Sequence, residues 1–184
     1  MNMKRIIASV LALVMCFALA ACGKEKDSEK GSYKDAIENL IAVTYELKSA
    51  KIKDLAPKDV WDCLLEAEDV TMDDVKEAFE DTYSKERYEK QFGSNFKASY
   101  DILEKEKVDS DELDDFKDYV EEEFGISGSK VKSGYSLEVE FTLEGSEDST
   151  SFEQECYAVQ IGSDWYLLDE DGDFYAESLV GFLF

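Results

Sequence analysis

No histidine occurs in the 184 residues, which removes any mechanism built on an imidazole base, nucleophile or metal ligand. Cysteine is sparse: Cys16, Cys22, Cys63 and Cys156, with no C-x-x-C pair, so a zinc site lacks its usual ligands. Pro57 is the only proline. Basic side chains are outnumbered, 20 Lys and Arg against 44 Asp and Glu, for a formal charge of −24. Phosphate backbones are bound by basic surfaces, so nucleic acid is excluded as a partner. Beyond residue 21 there is no apolar run long enough to cross a bilayer. What is present is 44% hydrophobic and 12% aromatic, enough to bury a core, in a length that suits one domain.

Residues 1–21 read as a targeting segment. Lys4 and Arg5 precede an apolar run from Ile6 to Ala21 that ends in small residues. Sixteen residues fall short of the roughly 20 needed to span a bilayer, and the order of charge, apolar run and small residues is that of a secretory signal. Leu19-Ala20-Ala21-Cys22 resembles the lipobox of bacterial lipoproteins. That resemblance implies cleavage between Ala21 and Cys22 and a diacylglycerol on the Cys22 thiol. The mature chain would then have 163 residues and a formal charge of −26, since Lys4 and Arg5 leave with the signal. It also implies a cell-membrane, extracytoplasmic location held by acyl chains, each buried CH₂ contributing about 0.8 kcal/mol. On that reading Cys63 and Cys156 are the remaining thiols, in a compartment where a disulfide is permitted; two separate buried thiols are the other option.

Cys22 to Ser32 carries no large apolar side chain beyond its first residue and reads as a flexible tether. Residues 33–184 read as one domain. Tyr33, Ile37, Leu40, Ile41, Thr44 and Leu47 share a helical face behind Ser32 as N-cap. Pro57 opens a second helix with Val60, Trp61, Leu64 and Leu65 inward. Thr71 with Asp74 has the spacing of a capping box, and a short fourth helix is expected over 84–91. At Phe96 the period becomes two, through Ala98, Tyr100 and Ile102. Asp109 with Glu112 starts another helix, bearing Leu113, Phe116, Val120 and Phe124 and ended by Gly125. Residues 135–143 alternate strictly, 145–148 turn, Tyr157, Val159 and Ile161 lie on one side of a second strand, and 165–168 form a third. The expected inner set is Tyr135, Leu137, Val139, Phe141, Tyr157, Val159 and Ile161, with Glu138 and Glu140 in water. Residues 178–184, SLVGFLF, read as a final strand or hook on the core, or as a partner- or membrane-touching tail.

Helices followed by consecutive strands give α+β, with N-terminal helices packed on an antiparallel sheet. The helix at 33–48, the strand at 135–143 and YAVQIGSDWYLL at 157–168 resemble small bacterial lipoproteins with a nuclear transport factor 2-like (cystatin-like) domain. The resemblance implies a curved sheet. It implies no single activity, because that family holds enzymes, binding proteins and members without assigned function. Pocketed relatives move protons with aspartate and tyrosine, a role that Tyr100, Asp101, Tyr157 and Tyr166 could supply here.

Asp169, Asp171 and Asp173 alternate as calcium ligands do, but glycine stands fourth where an EF-hand needs it sixth, and Val180 stands where glutamate is required. A solvated turn is the simpler reading, and no metal or cofactor is expected. A two-lobed solute receptor needs more chain than 163 residues. The sequence therefore points to a non-catalytic, membrane-anchored module that binds a protein or small-molecule ligand, or serves the envelope structurally. A small Tyr/Asp pocket enzyme is the alternative.

Overall fold

A computed structural model describes residues 31–184; the targeting segment, Cys22 and most of the expected tether lie outside the described residues. Four helices come first: α1 (Tyr33–Thr44), α2 (Lys58–Glu68), α3 (Met72–Thr82) and α4 (Lys85–Phe92). A 3-10 segment, Ser49–Leu55, joins α1 to α2. Strand β1 (Lys97–Lys107) follows, then α5 (Ser110–Phe124), then β2 (Val131–Glu144), β3 (Ser149–Ile161) and β4 (Asp164–Leu168). The last helix is α6 (Tyr175–Leu183). The strands form one open antiparallel sheet in the order β1-β2-β3-β4.

Local chemistry accounts for the helix starts. Ser32, Thr71 and Asp109 each cap a helix, and Asp35, Asp74 and Glu112 reach back to close three capping boxes. These bonds satisfy N–H groups that the first helical turn leaves free. Pro57 is the residue before α2, in extended conformation, and Gly125 ends α5 in the left-handed region at φ 65°.

Register decides the faces, because residues paired across antiparallel strands project to the same side. Leu137 pairs with Cys156 and Tyr135 with Ala158, while Val139 pairs with Ile102 and Phe141 with Tyr100. This first face meets α1: Tyr33 lies 5.3 Å from Tyr135 and 6.2 Å from Trp165, and Tyr45 lies 6.4 Å from Phe141. Leu137, Val139 and Phe141 are buried as expected, and Tyr135 is half-buried under Tyr33. Full burial of such a side chain contributes roughly 1.5–3 kcal/mol.

The expected inner set needs correction on β3. Tyr157, Val159 and Ile161 lie on the opposite face from Leu137, since it is Cys156 and Ala158 that pair with the inner residues of β2. Val159 and Ile161 are nevertheless buried, and Tyr157 half-buried. The reason is α5, which covers this second face at one end of the sheet. Phe116 meets Tyr157 edge-on at 5.2 Å, and Phe174 packs against Tyr119, Phe124 and Tyr166 at 5.8–6.3 Å. Val108, just before α5, sits over Gly134, where a Cβ would lie 2.7 Å from its Cγ2.

The C-terminal segment is also corrected: α6 is a helix rather than a strand, with Ala176 and Val180 buried. Phe182 lies 6.0 Å from Tyr83 and remains largely exposed. At the far end of the sheet, the β2–β3 turn is tied to α4, because the N–H groups of Glu147 and Asp148 donate to the Phe92 carbonyl. Gly145 is required there, since a Cβ would come within 2.1 Å of that carbonyl oxygen.

Candidate functional site

Where α5 stops, the second face of the sheet changes character. Asp101 of β1, Glu140 of β2 and Glu153 of β3 are in register, and so are Glu104, Glu138 and Glu155. The pleat therefore sets six carboxylates on one face in two cross-strand rows. Beyond them lie Ser99, Thr142 and Ser151, with the Thr142 and Ser151 hydroxyls 2.8 Å apart. None of the six acids takes part in an ion pair among the described residues. Like charges opposite one another in a sheet are destabilising, so this array is maintained against its own repulsion. Glu138, at its centre, shows the strain. Desolvation, with Glu104, Glu153 and Glu155 around it, holds its carboxyl above the usual range. Glu138 and Glu140 are half-exposed rather than fully in water.

A cleft of about 720 Å³ opens where this face reaches the edge of β3. Glu138, Glu153 and Glu155 line it from the sheet, and Asp169, Glu170 and Asp171 from the turn after β4. The turn is built by Asp169, whose Oδ1 accepts the N–H groups of Asp171 and Asp173, both at 3.0 Å. Asp169 also donates its own N–H to the Asp173 carbonyl, and Gly172 takes φ 91° to complete the reversal. On the other side of the strand, Gln154 Nε2 donates to the Tyr175 hydroxyl at 2.7 Å and pins the start of α6. Burial, chiefly, raises the Tyr175 phenol, with Cys156, Asp169, Tyr45 and Glu170 adding to it.

The alternating aspartates thus form a hydrogen-bonded turn, with Asp169 committed to backbone. Among the described residues no group of three or more Cys, Asp or Glu converges to hold a metal. Asp173 is raised by desolvation and then by Asp169 and Asp171. Beside it, Glu177 Oε1 accepts from the Tyr119 hydroxyl and from Phe174 N–H, closing the N-terminus of α6. Desolvation raises Glu177 in spite of those bonds.

The Tyr/Asp candidates do not converge. Tyr100 is on the first face opposite Phe141, and Asp101 is on the second. Tyr157 and Tyr166 are packed on Phe116 and Phe174 at the end that α5 covers. Burial, chiefly, pushes Tyr100 and Tyr166 up to about 12. Cys63 is exposed on α2 and Cys156 is buried in β3, and both are free thiols. Burial pushes the Cys156 thiol up to about 12, so it behaves as a small apolar side chain.

The carboxylate array was not foreseen as a unit. Its signal is present in the sequence as Glu138 and Glu140, then Glu153 and Glu155, at period two. Register alone makes them neighbours. In comparisons with family models, with curated proteins and with solved structures, the chain has no match.

Proposed function

We propose that this chain is a bacterial lipoprotein, anchored through Cys22 on the extracytoplasmic face of the cell membrane, and that its folded domain is a non-catalytic binding module. The observation that carries the anchor is Leu19-Ala20-Ala21-Cys22 directly behind the basic and apolar segment. No helix among the described residues is long and apolar enough to cross a membrane. Binding is supported by the cleft, where six carboxylates face solvent and none forms an ion pair among the described residues. A fold of the nuclear transport factor 2-like or cystatin-like kind is part of the same proposal. It is supported by α1 lying across one face of an antiparallel meander and by Trp165-Tyr166 in the last strand.

Fatty-acid labelling in the bacterial host tests the anchor. The wild-type chain takes up label and sediments with membranes, while Cys22→Ala does neither. Equal labelling of the two would overturn the anchor and leave the domain's architecture untouched.

A further inference from the structure

We infer that the free edge of β3 beside the end of β4 is a docking slot for an extended segment of a partner protein in which basic and apolar side chains alternate. This deepens the binding role proposed above and rests on it. β3 has 13 residues and β4 only five, paired to Tyr157–Ile161, so among the described residues Ser149–Cys156 has no strand on that side. The chain leaves the sheet at Leu168 because Asp169 folds the next residues into a turn. An incoming strand would continue the line of β4, antiparallel to β3, over about six to eight residues at roughly 3.3 Å each.

The two sides of that slot differ in chemistry. On the second face stand Glu153, Glu155 and Glu138, joined by Asp169, Glu170 and Asp171 across the cleft. On the first face, Phe152 is stacked on Phe141 at 5.6 Å and still 37% exposed. A strand alternates its side chains between faces, so a segment filling the slot would direct every second residue to carboxylates and the others toward Phe152. Lys or Arg matches the first set and Val, Ile or an aromatic residue the second.

Natural sheets protect open edges, and the other edge of this one is protected. β1 carries a bulge between Ile102 and Glu104, with Lys105 and Lys107 beyond it. Ser149–Cys156 has neither bulge nor proline, and only acidic side chains guard it. In a chain of formal charge −24 that guard repels a second copy, while it attracts a basic strand.

The test uses the full chain in a nonionic detergent and a synthetic peptide, TKVKVKT. One control has the same composition in the order KKKTTVV. The other keeps the sequence with alternate amides N-methylated. The expected result is saturable binding of TKVKVKT at about 0.15 M salt, with amide-exchange protection gained within Ser149–Cys156. Both controls bind at least about tenfold more weakly, because edge pairing needs order and free N–H groups. Glu153→Lys with Glu155→Lys loses binding to a similar degree while keeping its far-UV spectrum and losing nothing in melting temperature. No saturable binding, equal binding of the controls, or protection elsewhere overturns the proposal. So does a concentration-dependent dimer that protects Ser149–Cys156 without peptide, which would assign the slot to a second copy. Lipidation of Cys22 is read separately by fatty-acid labelling, so loss of the anchor and loss of the slot are distinguishable.

Discussion

The two ends of the sheet are made by the same strands with the same alternation, yet one end is covered on both faces and the other on one. At the covered end, Tyr157, Val159, Tyr166 and Leu168 lie under α5 or Phe174. At the open end the corresponding positions are Asp101, Glu104, Glu138, Glu140, Glu153 and Glu155. What changes along a strand is therefore the partner above it, and the residues follow. A half-covered sheet keeps a firm core at one end and presents a charged platform at the other.

The inner face should tolerate charge least, at either end. Val139 is fully buried between Ile102 and Gln154, facing the helices. Val139→Asp buries an unpaired carboxylate and is expected to cost more than about 4 kcal/mol, a large part of a domain's stability. A melting temperature equal to wild type would show that the register is wrong. Removing the cover of the second face should cost somewhat less. Phe116→Ala takes away the ring against Tyr157 and is expected to cost about 3 kcal/mol. The comparison also predicts where: amide exchange should quicken in α5 and at Tyr157–Ile161 and stay unchanged at Ser149–Glu153. Uniform loss of protection would mean the two ends are not independent.

Most elements were legible in the sequence because their signals are local. Capping boxes at Thr71/Asp74 and Asp109/Glu112, the glycine after Phe124 and the alternation over 135–143 each involve neighbours in the chain. What was not legible depends on pairing. Tyr157, Val159 and Ile161 look like partners of Leu137 and Val139 until the register sets Cys156 opposite Leu137. One residue of offset moves a whole set to the other face. The same offset turns scattered glutamates into rows. The apolar run after Ser178 was ambiguous for another reason, since six residues without a clear period fit strand or helix equally well.

Acidity provides a milder probe of both ends. Glu138, Asp173 and Glu177 are all raised by desolvation first, so the folded state binds protons more tightly at these groups than the unfolded chain does. Their contribution is complete below the unfolded carboxylate range and is lost as pH rises through the folded values. Asp74 acts oppositely, lowered by its bonds to Thr71, but it is one group against three. The melting temperature is therefore expected to rise as pH falls from 7 toward the carboxylate range, and Glu177→Gln should flatten part of that rise. A steady fall over the same interval would mean that the carboxylates are better satisfied than the array implies.

The smallest effect expected is also the most specific to the array. Glu138 stands between Glu104 and Glu155 in one row, with Glu153 diagonal to it. Glu138→Lys converts three repulsions into attractions at a site that is half open to water, so a small gain in melting temperature is expected. The gain should shrink in about 1 M salt, where the Debye length falls to about 3 Å. Glu46→Lys supplies the control, because Glu46 already pairs with Lys48 at 2.6 Å and has no such row around it. Two variants that shift stability equally, or a gain at Glu138 that survives salt, would show that the rows of carboxylates do not act on one another.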